Sequence, residues 1–578
     1  MRLFEEKRTE REAFESGIYS AVAEILPECI TGDKLSAATV LNREPYSFKV
    51  SYRFEGNGER TVVPVYFRIE GDFPAEEINV YKIGNVPIIN PVPNCVDKAQ
   101  LVSDRPSLYP DPLYVLSKNT VIEQDNCCRR WFEEGQRVTL NAGSAYQALW
   151  VELNPDSNEL APGNYTLECV FRSLTDNAEL SREKISFSVK ETAIKEQAVT
   201  CTNWFYCDAI ADVYGVEMFS DRHFEIIESF INTAAKNGNN MILTPAFTPP
   251  LDTRRGKCRK TVQLVGVKRT GGKYEFDFSL FERFVRICLK NGIRYFEHSH
   301  FFTQWGAQHC PNIFAEADGE FKQIFGWSCD AKSDEYTDFL SAYIKALLPV
   351  LERLGIKERI YFHISDEPSE EALENYRAAR QKLKEIYPDI KTIDAMSSFK
   401  FCEQKIVDIP VVREISADMK KFSESGCEFW VYYTGGVITE GNSNRLITLP
   451  QVRNRMIGVH MYVAGASGFL HWGYNYYYDV LSHGVINPLS EPCSYLLSPG
   501  TCFLVYPSLD GKAVPSQRIK AMRDGFDDYT ALKMLEEKIG RKEVLALINK
   551  TLGKEVFVDT PMSESEILRL KETVLSML

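Results

Sequence analysis

The chain is predicted to be multidomain: an N-terminal antiparallel β-sandwich, a central (β/α)8 TIM-like barrel, and C-terminal helices packed on that barrel. Three observations predict this. Short alternating strand patterns fill the first third of the sequence. Near residue 200 the rhythm changes to strand-like runs alternating with amphipathic helices. Beyond about residue 512 only helical patterns remain. The units are accordingly 1–195, 196–511 and 512–578.

In the first unit a short leading helix precedes "YSFKVSYRF", "RTVVPVYFRIEG", "EEINVYKIG", "YQALWVELN", "GNYTLECVFRS" and "EKISFSVKE". Turn clusters such as "NPDSNELAPGNY" separate these runs, which suits an antiparallel sandwich. "ETAIKEQAV" (191–199) reads as the linker. Eight strand-like runs follow: "TNWFYC" (202–207), "NMILTP" (240–245), "RYFEHSH" (294–300), "IYFHIS" (360–365), "TIDAM" (392–396), "IPVVRE" (409–414), "EFWVYY" (428–433) and "GFLHW" (468–472). Helical stretches such as "SLFERFVRICLKNG" and "DEYTDFLSAYIKALLPVLERLG" lie between them and end in Gly, a C-terminal stop signal. Eight such units over about 270 residues is the arithmetic of a (β/α)8 barrel. A doubly wound open sheet usually carries a Gly-rich phosphate turn after its first strand, and "TNWFYCDAIADVYG" has none. "PSQRIKAMRDGFDDYTALKMLEEKIG", "RKEVLALINKTLG" and "SESEILRLKETVLSML" supply the last helices.

Composition narrows the function. A net charge of -13 argues against nucleic acid or an anionic membrane as partner, because both need a basic footprint. No run of about 18 apolar residues exists to span a bilayer. The charged N-terminus lacks the apolar core of a signal peptide, so a cytoplasmic location is expected. The fifteen cysteines, with Cys127 and Cys128 adjacent and no CxxC pair, fit reduced thiols better than disulfides or a zinc site. No cofactor or metal is expected.

The chemistry points to "YFHISDEPSEEALENYRAA" (361–379). On a barrel, reactive groups sit where strands end at the C-terminal face. The fourth strand ends there in Asp366 and Glu367, followed by Pro368 and a helix that Ser369 can cap. Two acids at a helix start also serve as simple dipole partners. Other strand ends, however, offer Asp208, His298, His300, Trp305, Tyr432, Tyr433, His471 and Trp472, a set suited to a polyhydroxylated ligand. Paired carboxylates suggest glycoside hydrolysis. Alternation along the strand places Tyr361, His363, Ser365 and Glu367 on one side and Phe362, Ile364 and Asp366 on the other. Neighbours of this kind cannot easily flank a glycosidic bond from two sides. Acting from one side, they leave the substrate to supply the nucleophile, as the carbonyl oxygen of a 2-acetamido sugar does.

"HISDEP", "TLPQVRNRMIGVHMYVAGASGFLHWGYNYYY" and "VPSQRIKAMRDGFDDYTALKML", in that order, resemble the catalytic domain of glycoside hydrolase family 123. The resemblance covers roughly 200–535, and the preceding sandwich is similar to that family too. It implies β-N-acetylgalactosaminidase activity by substrate assistance, with Asp366 orienting the acetamido group and Glu367 as acid/base. It implies as partner a glycan or glycosphingolipid-derived oligosaccharide ending in N-acetylhexosamine. Several characterised relatives are exported, and the missing export signal here is a departure that points to small imported or intracellular glycans. Trp472 is a candidate platform for the sugar's apolar face, and Tyr433 a donor to the acetamido carbonyl. Trp305 lies in the long connection "FFTQWGAQHCPNIFAEADGEFKQIFGW", which should shape the mouth. Asp208 and His300 are candidates for hydroxyl binding, and "NYYY" (475–478), with Asn475, extends the rim.

Three readings compete. A two-carboxylate retaining glycosidase would pair Glu367 with Glu440, since Glu428 stands at the wrong end of the seventh strand. A metal hydrolase is prompted by His298 and His300, two His separated by one residue. A non-catalytic carbohydrate-binding barrel is the third.

Overall fold

A computed structural model describes residues 14–54, 63–92, 98–117, 138–174, 176–251, 253, 259–436, 438–492 and 497–578. Residues 1–13, where a leading helix would begin, and Cys127 and Cys128 lie outside these. From Phe14 the chain is already a strand, Phe14–Ser20, so no leading helix extends past that point. The ten cysteines among the described residues are free thiols.

The N-terminal region forms two five-stranded sheets. One runs in the order Phe14–Ser20, Tyr46–Phe54, Gln147–Leu153, Ile78–Ile88, Ser107–Ser117; the other Ala37–Asn42, Glu179–Ala193, Gly163–Ser173, Val63–Gly71, Val138–Ala142. Pairing is antiparallel except between Ala37–Asn42 and Glu179–Ala193, which run parallel. Inward residues of both sheets share one apolar cluster, with Phe48 and Val50 from the first against Phe67, Phe171 and Ile185 from the second. The expected linker is strand as far as Ala193.

All eight predicted strands of the second unit exist. They are β1 (Thr200–Asn203), β2 (Met241–Thr244), β3 (Tyr295–His298), β4 (Ile360–Phe362), β5 (Ile393–Ala395), β6 (Ile409–Arg413), β7 (Trp430–Tyr432) and β8 (Gly468–His471). Every laddered neighbour is parallel, in the order β4-β3-β2-β1-β8-β7-β6-β5. The ring is nearly closed. Between β4 and β5 there is an isolated bridge, Phe362 to Thr392, and the Phe362 N–H donates to the Lys391 carbonyl at 2.9 Å. The sheet departs from an ideal barrel in other ways. The helix between β5 and β6 is only Lys400–Glu403. The connections after β2 and β3 each carry a hairpin, Gly266–Thr270 with Lys273–Asp277 and Ile313–Ala317 with Glu320–Phe325, and the two hairpins join into a four-stranded sheet. No helix among the described residues is long and apolar enough to cross a membrane.

The helix Gln517–Ile539 meets both the sandwich and the segment before β8. Its Gly525 faces Gly458 so closely that a Cβ on Gly458 would lie 1.7 Å from the Gly525 carbonyl oxygen, so only glycine fits that crossing. From its first turn, fully buried Arg518 donates to Asp111 of the sandwich through Nε (3.0 Å) and Nη2 (2.8 Å). Lys520 and Arg523 both reach Oε1 of Glu152, at 2.6 and 2.8 Å. Burial opposes the Glu152 charge, yet the two cations hold its pKa down at about 2. Removing one member of a buried pair leaves the other charge uncompensated. Asp111→Ala is expected to lose about 3–5 kcal/mol of stability, read as a clear drop in the calorimetric unfolding midpoint. An unchanged midpoint would show that Arg518 finds enough compensation in the carbonyls of Arg445 and Gly500, to which it also donates.

Candidate active site

The end of β4 is held without a complete ladder. Past Phe362 its backbone polar groups need partners, since an unpaired buried N–H or C=O is costly. On one side the Phe301, Phe302 and Trp305 amides donate to the carbonyls of His363, Ile364 and Asp366 at 3.1, 3.0 and 2.8 Å. On the other side a side chain takes the place of a strand. Asp394, the single acid of β5, accepts from the amides of Ile364 (3.0 Å) and Ser365 (3.4 Å) and from the Tyr376 hydroxyl (2.5 Å), all on Oδ2. The Glu367 amide then donates to the Ala395 carbonyl at 3.1 Å.

The other oxygen of Asp394 opens a buried charge network. His363 points inward and donates through Nδ1 to Asp394 Oδ1 (2.9 Å) and through Nε2 to Glu297 Oε2 (2.8 Å). Glu297, on β3, also accepts from Trp204 Nε1 at 2.9 Å and from the Thr202 hydroxyl. Burial works against the His363 charge, but its two carboxylate partners outweigh burial and raise its pKa to about 9. His363 is therefore an imidazolium near neutral pH, clamped between acids from β3 and β5.

This frame delivers Asp366 and Glu367 to the C-terminal ends of the strands. Glu367 is exposed and has a left-handed backbone, φ 41°, uncommon for a non-glycine residue. Strand alternation holds as far as His363, which is inward while Phe362 packs outward against Phe301 and Tyr387. Beyond that the ladder stops, and the turn at Glu367, not alternation, sets the direction of the two acids. The Glu367 carboxylate accepts at Oε1 from the Tyr432 hydroxyl at 2.6 Å.

The remaining candidates divide. Trp305 is 58% exposed and is tied to the segment after β4 by the hydrogen bond from its amide to the Asp366 carbonyl. Trp472 is half-buried, with its ring stacked on His471 at 5.9 Å. His300 lies parallel to His363, with ring centroids 4.3 Å apart, and neither of its nitrogens has a protein partner. Burial, then the neighbouring His363 charge, keeps it neutral. Asp208 instead forms a buried pair with Arg259 Nε at 2.5 Å. Both amide atoms of Asn475 bond the Tyr206 backbone, at 2.9 and 3.0 Å. Tyr433 is buried, and its hydroxyl donates to Asn454 at 3.1 Å; alternation on β7 turns Tyr432, not Tyr433, toward the acids. Glu440 is exposed in the loop after β7, where its charge acts on Arg453.

The two His of the proposed metal motif diverge, because β3 ends at His298. His298 bonds the Tyr343 hydroxyl at 2.7 Å among the outer aromatics, whereas His300 faces His363. Among the described residues, His300, His363 and Asp394 are near enough to share an ion. Their arrangement fits one poorly. Both His363 nitrogens already donate to carboxylates, and the parallel His300 ring, tilted by only 13°, does not aim its in-plane lone pairs at the same point.

The family profile "Glycoside hydrolase 123, catalytic domain" matches residues 204–535, more than half of the chain. The chain belongs to glycoside hydrolase family 123. It is thus a glycoside hydrolase, and the matched span contains Asp366, Glu367 and the strands that carry them. Among solved structures, a family 123 glycoside hydrolase from Clostridium perfringens, described for glycolipid glycan hydrolysis, is similar at a TM-score of 0.71. It shares 15% identity, with 98% of this chain and 97% of that one covered, so the likeness is one of fold. A glycosyl hydrolase family 2 member from Bacteroides cellulosilyticus (TM-score 0.28, 11% identity, 87% of this chain and 49% of that chain) is too distant to carry any argument. No curated protein sequence matches the chain.

Glu297 and Asp394 were missed by sequence reasoning, although each left a signal. An acid inside an apolar strand run, as in "RYFEH" and "TIDAM", must be paired. The raised pKa of His363 has a consequence for stability. Its contribution is full below the unfolded-state value of 6.5 and is lost as pH rises through about 9. The unfolding midpoint of wild type should therefore fall relative to that of His363→Gln across this window. A constant difference between the two would show that His363 is neutral in the native protein.

Proposed function

We propose that this family 123 enzyme is a retaining exo-glycosidase that removes a terminal β-linked N-acetylhexosamine, N-acetylgalactosamine first, by substrate assistance. The reading takes the nearly closed sheet as a working (β/α)8 barrel over 196–511, with the sandwich of 1–195 before it and the helices of 512–578 packed on it. The observation that supports it is that Asp366 and Glu367 are consecutive residues just past the end of β4; in this reading they act on the substrate from the same side. In the first step the acetamido carbonyl oxygen bonds to C1 as the glycosidic C–O bond breaks. Glu367 gives its proton to the departing oxygen, and Asp366 holds the acetamido N–H and balances the oxazolinium charge. In the second step water attacks C1, Glu367 takes its proton, and the acetamido oxygen leaves, so that configuration is retained.

Trp305 and Trp472 offer aromatic planes for the sugar ring, and His300 offers a buried nitrogen without a protein partner. The likeness to the Clostridium perfringens family 123 enzyme of glycolipid glycan hydrolysis supports a glycan or glycolipid-derived oligosaccharide as substrate. The test is a panel of nitrophenyl β-glycosides with wild type, Asp366→Asn and Glu367→Gln. Wild type should cleave N-acetylhexosaminides and leave β-glucoside and β-galactoside intact. Each variant should lose about 10²–10⁴-fold in rate, the scale of general acid–base catalysis. Equal cleavage of sugars lacking the acetamido group would overturn substrate assistance, and full activity of Glu367→Gln would overturn the acid/base role. Sugar binding without turnover of any glycoside would favour the non-catalytic barrel.

A further inference from the structure

Glu367 has two carboxylate oxygens, and the structure treats them differently. Oε1 accepts the Tyr432 hydroxyl at 2.6 Å. That tyrosine has little freedom. It ends β7, is 5% exposed, and its carbonyl accepts from the Glu414 amide at 2.9 Å. Arg413, its register partner on β6, puts a cation beside the phenol. A carboxylate can only accept, so the phenol proton is directed to Glu367. Burial, then the Glu367 charge, keeps the phenol protonated far above the ordinary tyrosine range. Tyr432 is thus a permanent donor to one chosen oxygen.

We propose that Tyr432 is a positioning residue for the acid step, occupying Oε1 of Glu367 so that the transferable proton resides on Oε2, and stabilising the carboxylate that forms as that proton leaves. The inference rests on the acid/base reading of Glu367. As the glycosidic bond breaks, the Oε2 proton moves to the leaving oxygen, the aglycone departs as a neutral alcohol, and negative charge develops on Glu367. A hydrogen bond to a charged acceptor is stronger than one to a neutral acid, so the Tyr432 bond tightens in the transition state. Its benefit scales with how much the leaving group needs a proton. An alkoxide-like leaving group needs one fully; 2,4-dinitrophenolate leaves as a stable anion and needs almost none. A tyrosine that merely packs the mouth would affect all leaving groups alike.

The experiment is kcat/KM for full-length wild type and Tyr432→Phe over a series of aryl β-N-acetylhexosaminides, from 2,4-dinitrophenyl to 4-methoxyphenyl, extended to a methyl glycoside. The expected result is a loss of about tenfold or more for the poorest leaving groups, the scale of one charge-assisted hydrogen bond, falling below about threefold for the dinitrophenyl substrate. An equal loss across the series, or no loss anywhere, would overturn the proposal. Thermal melting checks that the Phe variant folds. If it does not, Arg413→Met keeps the tyrosine but removes the cation beside its phenol, which weakens the phenol as a donor, and it should give the same trend at smaller size; a flat series there also overturns the proposal. If wild type ignores N-acetylhexosaminides but cleaves other aryl glycosides, substrate assistance fails while the same leaving-group ratio on that glycoside still decides the role of Tyr432. If wild type cleaves no glycoside, both fall.

Discussion

The structure depends on a charge buried inside the strand ring. His363 sits between Glu297 of β3 and Asp394 of β5, bonded to both, and all three are within 1% of full burial. Buried charges survive only when paired and hydrogen-bonded, so three strands are pinned in register by one requirement. Asp394 does more than answer His363. Its second oxygen accepts two successive backbone amides of the β4 end. That is the place where the ring lacks a ladder. A carboxylate there substitutes for a strand and leaves the chain just beyond it free to turn. A continuous β4–β5 ladder would have carried the strand straight on, with neighbouring side chains on opposite faces.

A second buried cation holds the opposite part of the ring. Arg445 lies in the β7–β8 connection and donates to Asn203 at the end of β1 (2.5 Å) and to His471 at the end of β8 (2.6 Å). Asn203 in turn donates to Asn239, ahead of β2, at 2.6 Å. The Arg445 carbonyl accepts from Arg518, which bonds Asp111 of the sandwich. The N-terminal domain is thereby connected, through one buried pair and one carbonyl, to the guanidinium that joins the first and last strands. This gives the sandwich a mechanical part in holding β1 against β8, opposite the β4–β5 gap. Burial and the nearby guanidinium groups also keep His471 neutral, so no charge is added beside Trp472.

Much of this was legible in the sequence. All eight strands of the ring were legible as short apolar runs; β5 and β6 stood out least, because the helices on either side of β5 lack a terminal Gly. The pair at 366–367 stood out because the family's strand-end pattern and the chemistry of adjacent acids agree. The supporting residues were harder. Tyr432 and Tyr433 are equivalent in sequence, and only the exact point where β7 ends decides which one faces the acids. Asp208 and Asn475 read as ligand groups because polar residues near strand ends are often that. Their partners, Arg259 and the Tyr206 backbone, lie 51 and 269 residues away in the chain, beyond any local pattern. From Phe14 the chain is a strand paired with Tyr46–Phe54, a tertiary pairing that local propensity does not reveal.

The left-handed backbone at Glu367 joins these strands of argument. A non-glycine residue at positive φ is strained and persists only where its surroundings over-determine it. Here they do: the amide of Glu367 is bound by Ala395, its side chain by Tyr432, and the carbonyl just before it by Trp305. The three partners come from β5, β7 and the connection after β3, so the strain is supported from both sides of β4. Each is tied to an element that the buried network or its neighbours already hold. The two acids and the exposed Trp305 are therefore parts of one rigid unit. A sugar stacked on that indole would meet the carboxylates at a fixed separation, which the proposed substrate-assisted reaction requires, because the enzyme's task in it is chiefly to orient.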